Sequence, residues 1–541
     1  MKFLKKLLIA IMVAVTALSA SGCVLFEKIL DYFSGPPMEK RVYERMDEVG
    51  FDKLLSEIYM LLESDGNRNQ VVTKRNELFT SYYLKAFTMM TVSSINNDKD
   101  VNNTYWQEES IYSMQFAQKV QNSVLALEKA IISSPYYGEY FIENLGQEYA
   151  DRLLNTEVDS EHQLELLNQI SEMETMYSSL YAQEKYDEID ELYINLVKTR
   201  NAYARTKMKD DGEYYDNYLD YSYAEVFGRE YTPDDVALFR NAIKENIIPL
   251  RDRIKPQTEK PGVDAPLSAT DILTVMPQII DATAPDMISS WNYMTKRNLY
   301  DFDLSETKAN TSYVTEFYQY NDAFMFINAS GYLTRDLSTV IHEFGHYNEV
   351  FMANEDLEGD NSMSYDLAET HSQAFELITL PAVENLIATN YSNVENLYEN
   401  YVVDMLYNST WALLSNCIFD EFEYVVYNAD QSALTAEFLD QQFSDIWNKY
   451  WDGNQRNYYD VPHIVQISGY CISYVVSLVF ASEIWACETP IETYLKVVEY
   501  GTGNYLSTVY QAVELDNPLL PETVKKIADS YNSYIDEKFD W

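Results

Sequence analysis

A chain of 541 residues can bury one large core or form two compact bodies. Its 86 acidic residues against 39 Lys and Arg give a formal net charge of -47, a field that repels polyphosphates and disfavours nucleic-acid partners. The same field suits either a soluble extracellular surface or a cleft that draws in cationic peptides. With 47 tyrosines in the chain, no single Tyr stands out for being present.

Met1 to Lys6 is basic, and Leu7 to Leu18 is apolar but too short for an ordinary membrane span. Ser19-Ala-Ser-Gly22 then leads into Cys23. Small residues directly before a cysteine resemble a bacterial lipoprotein signal. That implies loss of residues 1–22 and a lipid on Cys23; the alternative is an ordinary secretory signal with an incidental cysteine. The expected location is the bacterial cell surface, anchored to the outer face of the cytoplasmic membrane, or the exterior as a secreted protein. Residues 23–38, with Gly35-Pro36-Pro37, read as a tether. Cys417, Cys471 and Cys487 make no paired framework, although one disulfide is possible. Cys417 and Cys471 lie in apolar stretches and read as buried.

Residues 39–230 read as a helical N-terminal region. Apolar residues recur every three or four positions through Arg41–Gly50 and Phe51–Leu62, and no proline falls between Pro135 and Pro233. Thr232-Pro233-Asp-Asp starts another helix, with a capping hydroxyl, proline at the first position and acids at the positive end. Prolines at 249, 256, 261, 266, 277 and 285 read as an irregular connection within the start of a second region, 231–541. There, Ala323–Asn328 reads as a short strand with an edge open to an added peptide strand. Gly331 reads as a turn and Thr334–Asp336 as a helix start. The acidic stretch Asn354–Asp360 lacks the spacing of an EF-hand and reads as a solvated loop rather than a calcium site.

The chemistry concentrates in His342-Glu343-Phe344-Gly345-His346. Residues i and i+4 share a helix face, so His342 and His346 can aim two imidazoles at one metal ion, with Glu343 one step round as a general base for water. The following helix, Asp366-Leu-Ala-Glu369-Thr-His-Ser-Gln373-Ala-Phe-Glu376, places Glu369, Gln373 and Glu376 on one face. Glu369 can supply the third ligand that a two-histidine site needs. Glu376 can hold the free ring nitrogen of a ligand histidine or be an ordinary solvated carboxylate. His371 points off the ligand face and reads as a surface residue or a supporter of the ligands; His162 reads as surface.

These stretches resemble the thimet oligopeptidase and oligoendopeptidase F family of zinc peptidases, whose pattern is HExGH followed by E-x-x-S-x-x-x-E. The resemblance implies a mainly α, two-lobed helical zinc-peptidase fold, with a deep substrate channel and one small β-sheet near the active site. It implies one Zn2+ per chain on His342, His346 and Glu369. It also implies that His463, Tyr470 and Tyr474, in His463-Ile-Val-Gln-Ile-Ser-Gly469-Tyr470-Cys-Ile-Ser-Tyr474, bind substrate and polarise the scissile carbonyl. Two departures stand out: Glu349 replaces a histidine found in many members. The His-to-Tyr spacing is also longer than the pattern, with Ser477 where some members have a third tyrosine.

The expected function is therefore hydrolysis of internal bonds in oligopeptides by a surface-anchored enzyme. Glu343 removes a proton from water and returns it to the leaving amine. A zinc carboxypeptidase or dipeptidase on the same scaffold is the nearer rival, and a non-catalytic, peptide-capturing lipoprotein the more distant one.

Overall fold

The structure, a computed structural model, describes residues 35–155, 160–209, 211–353, 357 and 364–541. Cys23 and the signal segment lie outside these residues, as does nearly all of the acidic stretch 354–360. Among the described residues no helix is long and apolar enough to cross a membrane. Among the described residues the fold is mainly α, with one three-stranded sheet.

The chain forms two compact units. The first comprises residues up to Thr156 together with Asn292–Asp301 and Ser305–Asn328. Four of its helices are α1 (Glu48–Leu62), α2 (Arg68–Leu78), α3 (Leu84–Lys99) and α4 (Thr104–Ile132). Asp47 caps α1 by accepting from Gly50 N, and Phe51, Leu54 and Ile58 then bury one stripe. That stripe meets Val71 and Leu78 of α2 and Phe116, Val120 and Leu127 of α4 in one core.

The sheet of this unit has strands β1 (Tyr300–Asp301), β2 (Tyr313–Phe317) and β3 (Asp322–Phe326), in the order β1-β3-β2. β3 is antiparallel to β2, with Val314 opposite Met325, and parallel to β1, with Tyr300 opposite Met325. Every residue of β3 is buried. The apolar run is thus a central strand, which corrects the expectation of an open edge; its second neighbour, β1, is only two residues long and comes from a separate stretch of chain.

Gly35-Pro36-Pro37 is not a free tether either. Arg41 donates from Nε to Pro36 O at 2.8 Å and makes two 2.7 Å bonds to the Asp322 carboxylate. Met38 N donates to Arg297 O at 2.9 Å. The guanidinium also lies over the Phe317 and Tyr320 rings. A buried bidentate ion pair left half-made would strand a charge, which ties this segment to the unit.

The second unit holds Glu157–Trp291, Phe302–Leu304 and Ala329–Trp541. The boundary in contacts therefore falls near residue 156 rather than at 230. Helices α5 (Glu161–Ala182) and α6 (Tyr186–Ala204) pack together in this unit. Buried Arg200 of α6 bonds Tyr427 Oη at 2.9 Å and Val465 O at 2.8 Å, and Asn201 donates to Tyr427 O.

Helix α7 (Val236–Thr258) continues through Pro249 and Pro256, where an irregular connection was expected, while Pro261 and Pro266 do fall in a non-helical stretch after it. A proline costs one helical hydrogen bond, but Ile243, Ile247, Leu250 and Ile254 are all buried around it, and that burial decides the local structure. Thr232-Pro233-Asp-Asp is a closed turn just ahead of the helix rather than its first turn: Asp235 N donates to Thr232 Oγ1 and Thr232 N to the Asp235 carboxylate, and the helix itself begins at Val236. Four further helices build the site and its surroundings: α8 (Leu333–Met352), α9 (Tyr365–Ile378), α10 (Leu397–Asn428) and α11 (Cys471–Ala486). α9 packs against both α8 and α11, and α10 against α7 and α11. Cys417 and Cys471 are buried; they and Cys487 are free thiols.

Candidate metal centre

Helix α8 starts where Gly331 turns the chain at φ +83. The Asp336 carboxylate accepts from Ser330 N and Oγ at 2.8 Å and from Gly331 N at 2.7 Å, so the first turn is locked to the preceding loop. Leu337, Val340, Ile341 and Phe344 are fully buried. That buried stripe fixes the rotation of the helix, and with it the direction of His342 and His346.

Helix α9 crosses α8 at Gly345. A Cβ at that position would lie 2.5 Å from Ser372 Cα and 2.6 Å from His371 O. Two backbones can approach so closely only because neither side chain intervenes, and the approach brings Glu369 over the histidines. Its Oε2 is 3.6 Å from His342 Nε2 and 3.7 Å from His346 Nε2. The three residues form a group with ligand atoms within 4.8 Å of one another. Tetrahedral ligands about 2.0–2.1 Å from a zinc ion stand roughly 3.4 Å apart, so the donor set fits that ion.

The protons fit as well. Glu376 Oε1 is 2.7 Å from His342 Nδ1, and its other oxygen accepts from Ser338 Oγ at 3.0 Å. With Nδ1 carrying the proton, the Nε2 lone pair of His342 faces Glu369 and the metal position. Burial pushes His346 down to about 4, against the pull of Glu369, so its ring is neutral and free to ligate. Burial also opposes charge on His342, but the Glu369 carboxylate 3.6 Å away and the hydrogen bond to Glu376 hold its pKa well above the ordinary imidazole value. Glu376→Gln should weaken zinc binding by roughly 10- to 100-fold, the cost typical of losing a partner that orients a ligand. Titration against a chromophoric chelator checks this, and unchanged affinity would show Glu376 to be a bystander.

Glu343 is buried, and its Oε2 has no hydrogen-bond partner. Burial, with the nearby Glu369 and Glu376 charges, pushes its carboxyl up to about 7, partly offset by His342. A buried, unpartnered carboxylate oxygen beside a metal ligand set is placed to receive a proton.

His463, Tyr470 and Tyr474 form one aromatic cluster. The His463 ring stacks on Tyr470 with centroids 5.4 Å apart and meets Tyr474 edge-on at 6.0 Å. Glu369 acts electrostatically on all three. Burial lowers the pKa of His463, and burial followed by the Glu369 charge pushes Tyr474 up to about 12. Burial and the neighbouring Tyr474 also raise Tyr470. Both phenols therefore keep their protons and can donate.

The loop before α11 turns at Gly469, with φ +85, and its N–H points at both oxygens of Glu423, each 3.2 Å away. Burial pushes the Glu423 carboxyl up to about 8. A carboxyl that binds its proton more tightly when folded stabilises the protein at low pH. That contribution is lost as pH rises from the unfolded value, 4.5, to about 8. Glu423→Gln should therefore melt several degrees above the parent at pH 9 and close to it at pH 5; a gap independent of pH would refute the assignment.

Sequence reading misplaced His371. It is only 1% exposed, neither ring nitrogen has a partner, and burial drives its pKa to about 3. It is a neutral packing residue, because α9 is enclosed by neighbouring helices on more than one side. His162 is exposed. Ser477, in place of a third tyrosine, donates to Asp366 O at 2.5 Å and so joins α11 to α9. Glu349 accepts from Thr502 N at 3.1 Å.

Residues 286–528 match the sequence model of peptidase family M3. Over this stretch, a little under half of the chain, the sequence is similar to that family. Members of that family are metallopeptidases, in keeping with the His342, His346 and Glu369 group. Solved M3-type structures share the fold across nearly the whole chain. PZ peptidase A, solved with an inhibitor, aligns with a TM-score of 0.72 at 20% identity, covering 92% of this chain and 99% of its own. A protein assigned as oligoendopeptidase F from Bacillus anthracis str. Ames aligns with a TM-score of 0.71 at 18% identity, covering 93% and 99%. Another oligoendopeptidase F structure gives 0.72 at 20% identity, covering 94% and 99%. No curated protein matches the chain.

Proposed function

We propose that this metallopeptidase is a zinc-dependent oligoendopeptidase that cuts internal bonds of short peptides. The observation that carries the reading is the convergence of His342 Nε2, His346 Nε2 and Glu369 Oε2 beside the unpartnered Glu343 Oε2. Zinc held by those three ligands supplies Lewis acidity, polarising a carbonyl and acidifying water. Glu343 takes the proton that water gives up and passes it to the departing amine. Tyr470 and Tyr474, whose phenols hold their protons, donate hydrogen bonds to the developing oxyanion, and His463 orients Tyr470 by stacking on it. The chain is held at the bacterial surface by a lipid on Cys23, an assignment that rests on the residues before that cysteine.

The test is hydrolysis of quenched fluorescent peptides blocked at both ends, with cut positions read by mass spectrometry. Internal cleavage abolished by a chelator and restored by zinc is expected. Requirement for a free terminus would favour the exopeptidase, and binding without turnover by zinc-loaded protein would favour peptide capture. Membrane fractions from cells expressing the parent or Cys23→Ala distinguish anchoring from secretion.

A further inference from the structure

Arg229 sits where three segments meet. Its Nη1 donates to Gly469 O at 2.8 Å and its Nη2 to Ser473 Oγ at 2.8 Å. Its Nε lies 3.7 Å from Asp366 Oδ1. The rings of Tyr223, Phe227 and Tyr231 surround the guanidinium, the nearest centroid 4.2 Å away. Asp366 completes the knot: Oδ1 accepts from Ser473 Oγ at 2.6 Å and Oδ2 from Tyr231 Oη at 2.8 Å. The Arg229 and Asp366 side chains are 1% and 5% exposed.

The partners are placed tellingly. Asp366 lies in the first turn of α9, one helical turn before Glu369. Gly469 and Ser473 directly precede Tyr470 and Tyr474. A buried ion pair is weak evidence of net stability, since apolar replacements often do as well. What a planar, directional guanidinium does fix is geometry. We infer that Arg229 is a positioning residue that sets the spacing between the helix bearing Glu369 and the segment, at the start of α11, that carries Tyr470 and Tyr474. Aligning donors with a reacting carbonyl is sensitive to shifts of about 1 Å, which can cost on the order of 100-fold in rate. The inference rests on the proposed role of the tyrosines as donors.

The test is a double-mutant cycle in the full chain: Arg229→Met, Arg229→Lys and Ser473→Ala, each alone and with Tyr470→Phe/Tyr474→Phe. Arg229→Met should lower kcat roughly 100-fold with KM changed less than about threefold. Arg229→Lys should restore only part of it, because one ammonium cannot reproduce the forked bonds. With both tyrosines replaced, the Arg229→Met loss should largely vanish. Hydrogen exchange gives a readout independent of turnover: segments 364–370 and 467–474 should exchange faster in Arg229→Met, while α6 is unchanged. An equal loss with and without the tyrosines would reduce Arg229 to a structural role, and unchanged exchange in both segments would overturn the clamp. If Arg229→Met fails to fold, Ser473→Ala decides through the same cycle. Absence of hydrolysis by the parent would sink the endopeptidase reading, whereas the exchange result judges the clamp itself.

Discussion

Glu343→Gln is expected to abolish most peptide hydrolysis while leaving the metal in place. Glutamine keeps the volume of the side chain but cannot take up a proton. Glu343 is no metal ligand: the convergent atoms belong to His342, His346 and Glu369. Its Oε2 is buried and unpartnered, so no structural hydrogen bond is lost there. The substitution also removes a carboxylate from a site that already holds Glu369 and Glu376, both of which disfavour its charge. Thermal stability near neutral pH should therefore hold or rise. General acid–base contributions place the fall in kcat at roughly 100- to 10,000-fold. Steady-state kinetics, metal analysis and melting temperature on the same preparation decide the matter. Loss of metal or a large fall in melting temperature would assign Glu343 a structural role. Retention of more than about a tenth of kcat would leave general-base catalysis without a place here.

The metal-binding group was legible because it depends on local rules. Spacing of i, i+4 on a helix and one acid on the next helix suffices to nominate His342, His346 and Glu369. The turn at Gly331 and a helix start close behind it, expected at Thr334–Asp336 and found at Leu333, were legible for the same reason. Elements fixed by distant partners were not. The Asp322–Phe326 strand looked like an edge because the two-residue strand beside it carries no periodic signal of its own. Helix α7 looked broken at Pro249 because the burial that holds it together comes from other helices. His371 looked peripheral because a one-face rule fails for a helix covered on several sides. Arg229 gave no signal at all: its partners lie 240 and 244 residues away in sequence, and nothing local marks it.

Gly345→Ala is expected to damage the metal centre and the fold together. The helical backbone at Gly345 has an ordinary conformation, so the argument is about space rather than φ. The added methyl would meet backbone on α9, at Ser372 Cα and His371 O, both well inside van der Waals contact. Neither can rotate away as a side-chain tip could. His371 is fully packed, and its carbonyl accepts from Tyr494 Oη at 3.0 Å, so α9 is braced from behind. Relief therefore requires α8 and α9 to separate, which draws Glu369 away from the two imidazoles. Overpacking of this kind typically costs about 1–3 kcal/mol, and more where the backbone cannot yield. The expected result is a lower melting temperature together with weaker zinc binding, each measured on the metal-free and zinc-loaded protein. The two losses should be coupled, because one displacement causes both: zinc should recover less stability in Gly345→Ala than in the parent. Loss of stability with zinc affinity intact would mean that the helix crossing does not set the ligand geometry.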